Sequence, residues 1–259
     1  MLETVAAAAA GRKVVVSFNG ASFDWPLLRT RALLNRMDDP LADLAGWDLL
    51  VPARRVWGRQ LADCRQQTLE TEVCGLTRGP GDIPGDSIPQ AWFDFLAGGD
   101  AEPLQRVLEH NRRDMEGMAR VLLAVCGAAR QLAAPPAPGL APDWRLAWSL
   151  GRICERRRAN PAAAGWLRLA ALAPAARRER RFLADALRVL KRDGDWSAAL
   201  DLIDRAVARG DGDPWLHREA AIIWEHRLGD ADKALAHARR TGDDRRVERL
   251  RRRKDKEAT

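Results

Sequence analysis

The heptapeptide Gly194-Asp195-Trp196-Ser197-Ala198-Ala199-Leu200 recurs in pattern, 35 positions on, as Gly229-Asp230-Ala231-Asp232-Lys233-Ala234-Leu235. The segments ahead of each copy, residues 182–192 and 215–228, keep the same offset and both have helical apolar spacing. A period of about 34 residues is that of a helix-turn-helix unit. Such a unit cannot bury its apolar face alone, so copies stack and share a core. Residues 145–173 read as a more divergent first unit. The chain from residue 144 onward is therefore expected to be an all-α array of helical hairpins. An irregular helical bundle without a binding role is the alternative.

The first half follows different rules. Residues 127–143 (GAARQLAAPPAPGLAPD) hold four prolines among small residues. Proline removes backbone donors and restricts its neighbours, so this stretch reads as a linker. The expected organisation is an α/β domain over 1–128, a linker over 129–143 and the hairpin array over 144–259. Residues 13–18 (KVVVSF) form the clearest strand, apolar on both faces and ended by the Asn19-Gly20 turn signal. A helix is expected over 25–35, with Pro26 tolerated in its first turn. Residues 47–51 read either as a second short strand or as the buried start of a helix. Helices are expected over 61–74, 90–96 and 102–125. The segment 79–89 (GPGDIPGDSIP) reads as a stiff loop flanking a cleft, either guiding a strand or joining two helices.

The net charge of +7 is unevenly spread. Residues 1–143 contain 15 Lys and Arg against 18 Asp and Glu, a net −3, whereas residues 144–259 contain 28 against 18, a net +10. A basic module can hold a polyanion, nucleic acid above all; a generally arginine-rich composition explains the same excess. No apolar run reaches the roughly 20 residues that cross a bilayer. The N-terminus has its acid first and its basic pair last, the reverse of a signal peptide. The four cysteines lie far apart with no CxxC pair, which suits a reducing cytoplasm.

Two places carry chemistry. In Asn19-Gly20-Ala21-Ser22-Phe23-Asp24-Trp25-Pro26-Leu27-Leu28 a carboxylate follows a buried strand and opens a helix, and ligands of α/β sheets gather at carboxyl ends of strands. In His110-Asn111-Arg112-Arg113-Asp114 the first and last residues share a helix face. Asp24 and Asp114 can converge on one divalent ion, and oxygen ligands favour Mg²⁺ or Mn²⁺. Read singly, Asp24 is an N-cap and His110 with Asp114 a surface pair. Arg54, Arg55, Arg59 and Arg65 cluster near Trp57, as phosphate contacts or as a solvated face.

Asn-x3-Phe-Asp-x-Pro-Leu-Leu followed by His-x3-Asp resembles the second and third motifs of the DEDD exonuclease superfamily, with the spacing of its DEDDy branch, where Tyr usually stands in place of His110. The runs Phe18-Asn19-Gly20, Phe23 to Leu28, Asp48-Leu49-Leu50, Arg54-Arg55-Val56-Trp57, Asp82-Ile83-Pro84-Gly85, Ile88-Pro89 and His110 to Asp114 are similar to the YprB-type ribonuclease H-like family. The resemblance spans about residues 14–125. It implies a partial ribonuclease H-like fold and a metal-dependent 3′–5′ exonuclease. Asp24 and Asp114 would be two of four carboxylates that hold two divalent ions, and His110 would orient or deprotonate the attacking water. Asn19 and Phe23 would line the floor for a terminal nucleotide. Asp48 reads as structural, a turn or helix cap. Residues 215–240 resemble a tetratricopeptide repeat, a scaffold that would hold nucleic acid or a protein partner.

The Asp-x-Glu pair of the first DEDD motif is absent ahead of Lys13, where Glu3 is the only acid. One or two strands are legible where such a sheet has about five. The expectation is a domain that starts after its first strands, with residues 1–11 as the tail of a preceding helix, weak metal binding and little nuclease activity. A non-catalytic scaffold built on the basic repeats is the competing reading.

Overall fold

The computed structural model describes residues 1–77, 85–137, 139, 142–208 and 213–257. The chain divides into two compact units, Met1–Gln131 and Leu132–Thr259.

In the first unit, α1 (Leu2–Ala9) precedes β1 (Val14–Ser17), α2 (Asp24–Leu34) and β2 (Ala45–Asp48). The strands pair in parallel, Val14 opposite Ala45 through Ser17 opposite Asp48. Parallel strands need a crossover, and α2 supplies it as a βαβ unit. Among the described residues the sheet has these two strands alone. Val14 is consequently 51% exposed, so β1 is not buried on both faces as its composition suggests. Trp25 of α2 packs on β2 at Gly46, where an added Cβ would stand 2.4 Å from the indole.

The ambiguity over residues 47–51 resolves as both elements: Trp47 and Asp48 end β2, and Leu50 opens α3 (Leu50–Trp57). The helix expected over 61–74 is shorter, α4 (Gln66–Glu72). Asp63 accounts for the difference: its Oδ1 accepts from the Arg65 N–H at 2.9 Å and the Thr68 hydroxyl at 2.6 Å. A short acid that bonds its neighbours in this way favours a turn over an earlier helical start. Gly85–Ser87 form a 3₁₀ turn before α5 (Ile88–Leu96); residues 79–84 of the expected loop lie outside the described residues. The helix α6 (Glu102–Gln131) runs beyond 128, because Ala129, Arg130 and Gln131 favour helix and the first proline comes at 135. The core gathers Leu49, Ala53, Val56 and Trp57 with Leu69, Val121 and Val125, as α3, α4 and α5 pack on α6.

In the second unit, Leu132 is already buried rather than part of a free linker: its carbonyl accepts from Cys154 Sγ and Trp166 Nε1. All regular structure among the described residues from there on is helical. The helices are α7 (Trp144–Arg156), α8 (Asn160–Ala171), α9 (Arg180–Asp193), α10 (Trp196–Val207), α11 (Pro214–Ile223), α12 (Ala231–Ala238) and α13 (Asp244–Glu257), with a π turn over Trp224–Leu228. Consecutive helices pack on one another throughout.

The 35-residue offset has a local cause. Gly194 and Gly229 close their helices in the left-handed region, at φ 78° and 71°, a conformation that glycine adopts without a Cβ clash. The next residue then caps the following helix. Asp195 accepts from the Ala198 N–H at 3.0 Å and Asp230 from the Lys233 N–H at 2.9 Å.

The tail 245–256, dense in Arg and Lys, reads from its sequence as a charged helix end that frays, but it is docked. Leu250 is 1% exposed in a cluster with Ala221, Ala234, Leu235 and Ala238, and Arg249 donates to both oxygens of Glu225. No helix among the described residues is long and apolar enough to cross a membrane. All four cysteines are free thiols.

Candidate functional site

The site region begins where β1 ends. Asn19 takes φ 62°, a conformation that asparagine tolerates better than most residues. Gly20 is buried, and a Cβ there would stand 2.5 Å from the Ser17 side chain. The turn is held by Asp48 at the end of β2. Its Oδ1 accepts from the Asn19 N–H at 2.8 Å and the Leu50 N–H at 3.0 Å, and its Oδ2 accepts from the Ala21 N–H at 3.1 Å. One carboxylate thus ties the β1–α2 turn to the neighbouring strand and orders the entry to α3, a structural role.

Asp24 is the first residue of α2 rather than its cap. Phe23 occupies the cap position and no side chain bonds there. Asp24 is exposed and makes no hydrogen bond or ion pair among the described residues. A carboxylate in a first helical turn is favoured by the helix dipole, so no partner is needed to hold its charge. The outcome is an uncommitted carboxylate at the carboxyl end of a parallel strand pair. Phe23 beside it is 66% exposed, and Asn19 is exposed as well.

His110 and Asp114 lie together on α6, His110 Nε2 standing 3.3 Å from Asp114 Oδ2. His110 is 7% exposed, so the two do not form a surface pair. The same turn of α6 is gripped from α4 by residues that spacing alone did not single out. Gln66 Nε2 donates to the Asp114 carbonyl at 2.6 Å and to Glu70 Oε1 at 2.8 Å. Glu70 is 3% exposed. It packs on Gly117, where a Cβ would stand 1.9 Å from Oε1. The available signals were a glycine inside a long helix and an acid beside Leu69.

Arg54 and Arg55 are exposed on α3 and make no ion pair among the described residues, so both are available to an anion.

Mg²⁺ or Mn²⁺ would require several convergent oxygens. Among the described residues, no group of three or more His, Cys, Asp or Glu side chains is placed to hold a metal ion. Asp24, His110 and Asp114 therefore do not by themselves make a complete cage. The i, i+4 spacing brings His110 to Asp114. Asp24 comes from another element, whose placement that spacing does not specify.

The chain is 36% identical over 102 residues to the uncharacterized protein YprB of Bacillus subtilis, covering 39% of this chain and 24% of that protein. It is 28% identical over 109 residues to an uncharacterized protein of Methanocaldococcus jannaschii, covering 41% of this chain and 60% of the relative. The chain thus spans about a quarter and about three fifths of the lengths of these two curated relatives. No solved structure matches it significantly. A family profile described as the RNase_H superfamily (RNase_H_2) matches residues 1–125, so that segment is similar to this superfamily.

Proposed function

We propose that the protein acts on nucleic acid as a metal-dependent nuclease of the ribonuclease H-like, 3′–5′ exonuclease type. Asp24 and Asp114 are the oxygen donors offered to Mg²⁺ or Mn²⁺, and His110 is the group that orients the attacking water. Asn19 and Phe23 face the terminal nucleotide, and Arg54 and Arg55 its phosphates. The observation that carries this reading is Asp24, exposed and uncommitted at the carboxyl end of β1, where α/β sheets bind ligands. Two carboxylates are a sparse donor set, so hydrolysis by this chain is expected to be slow, by orders of magnitude, as losses of this kind are.

A second reading makes the helical array a tetratricopeptide-like scaffold that binds nucleic acid, or a protein partner, without catalysis. It is favoured by the net +10 of residues 144–259 and by four indoles in that stretch that carry a cation over the ring.

Incubation of end-labelled single-stranded DNA and RNA with the full chain separates the two readings. It would be run with Mn²⁺ or with EDTA, alongside Asp24→Asn. Slow, metal-dependent trimming lost in Asp24→Asn supports the nuclease. Salt-sensitive binding without trimming, unchanged in Asp24→Asn, refutes it in favour of the scaffold.

A further inference from the structure

In the helical array the N-terminal turns of α7, α9 and α11 meet in succession. Trp144 lies edge-on to Phe182, with ring centroids 6.1 Å apart, and the Arg180 guanidinium lies 5.7 Å from the Trp215 ring centroid. Next to Trp215 a cleft of about 510 Å³ opens. It is bounded by Arg180, Trp215 and Arg218 and by Thr241, Gly242 and Asp243 of the turn between α12 and α13.

The groups that bound this cleft differ in what they have left to offer. Thr241 Oγ1 donates to the Ala238 carbonyl and accepts from the Asp243 N–H. Asp243 Oδ1 caps α13 through the Arg246 N–H, and its Oδ2 faces Arg246 Nε at 3.6 Å. Gly242, at φ +72°, leaves open space where a side chain would stand. Arg180 has one loose partner, Asp213 Oδ2 at 3.5 Å from its Nε. Arg218 is exposed, one helical turn from Trp215, and makes no ion pair or hydrogen bond among the described residues. What remains is a half-buried indole flanked by two guanidiniums, one of them without a partner among the described residues.

We propose that this cleft binds a nucleotide unit of a single-stranded nucleic acid, its base against Trp215 and its phosphate on Arg180 and Arg218. The proposal rests on the reading above that the protein handles nucleic acid, and it locates a binding subsite outside the ribonuclease H-like segment. An aromatic face beside cations is how sequence-tolerant single-strand binding is built: stacking holds each base and the cations follow the backbone. A bare phosphate would use the arginines but not the ring, and an acidic peptide would leave the flat face unmatched.

The test is titration of a fluorescein-labelled oligothymidylate with the full chain between about 50 and 200 mM salt. Trp215→Leu is expected to weaken binding roughly tenfold, the effect of losing one stacked base, while Trp215→Phe keeps most of it. Arg218→Ala, at an exposed position, is expected to lower the slope of log K against log salt by about 0.7, as the loss of one phosphate contact does for a single strand. Free thymidine monophosphate that displaces the strand at comparable concentration would overturn the strand as ligand in favour of a mononucleotide. Poly-glutamate bound as tightly, and lost in Trp215→Leu, would overturn the proposal in favour of an acidic protein. If Trp215→Leu and Arg218→Ala bind like wild type while Arg54→Ala weakens binding, the cleft is refuted and the nucleic-acid reading stands. If the wild-type chain binds no strand, both fail.

Discussion

Asp48→Ala removes the acceptor of three backbone N–H groups at once, those of Asn19, Ala21 and Leu50 at 2.8, 3.1 and 3.0 Å. Asp48 is half-buried and two of its three bonds lie in exposed surroundings. Each is therefore worth about 1 kcal/mol net, less than a buried charge-assisted bond. The expected loss for alanine is about 2–3 kcal/mol. Asp48→Asn separates the contributions. Its single carbonyl oxygen still serves Asn19 and Leu50, while its amide turns a donor toward the Ala21 N–H. Asparagine should thus cost about 1 kcal/mol, with the damage confined to Ala21. Urea unfolding followed by circular dichroism gives the shift in midpoint at constant slope, and amide exchange at Asn19 and Ala21 gives the local opening. Asp48→Ala within about 0.5 kcal/mol of wild type, with unchanged exchange at those amides, would refute the claim that this carboxylate holds the turn presenting Asp24.

Gly46→Ala drives a Cβ to 2.4 Å from the rigid Trp25 indole, so a loss of about 1–3 kcal/mol is expected in the same unfolding assay; a neutral result means that α2 lifts freely from β2. Nδ1 of His217 and Nδ1 of His237 lie 3.0 Å apart between α11 and α12. Burial, then the charges of His237 and Arg240, push His217 below its ordinary value against the pull of Asp204; burial lowers His237 too, opposed by Asp204 and aided by Arg240. The unfolded chain therefore binds more protons, and stability is full above pH 6.5 and falls as pH drops below it. His237→Gln should flatten that fall, and parallel pH profiles would refute the coupling. Glu225, 5% exposed at its side chain, accepts from Arg249 and faces Arg246, itself 13% exposed, at 3.6 Å. Glu225→Gln is expected to cost about 2–3 kcal/mol, discounted for the exposed Arg249, and to speed amide exchange along α13; unchanged exchange there would show that Leu250 alone docks the helix.

Local features were the legible ones. Strand β1 sits within residues 13–18, and α2 within a residue or so of 25–35, because a β-branched run, an Asn-Gly turn and a first-turn proline act over a few residues. The repeated Gly-Asp pair was visible because the closing glycine of one helix and the capping aspartate of the next are adjacent in the chain. The start of α4 was misplaced because Asp63 bonds its own neighbours, a choice between turn and helix that apolar spacing does not report. The fate of the tail was also hidden. Its arginines and lysines read as a solvated end, while Leu250 beneath them meets residues 12–29 positions away.

The same division governs the candidate site. The sequence by itself determined that Asp24 follows a strand and that His110 faces Asp114, since helical and strand geometry translate short spacings directly into direction. Tertiary structure alone decided that Asp48 turns its oxygens to the β1–α2 loop, that Glu70 lies on the bare backbone of Gly117, and that Arg180 reaches the ring of Trp215. These contacts join residues 27 to 47 positions apart. Packing places such elements relative to one another, and no local spacing encodes that placement.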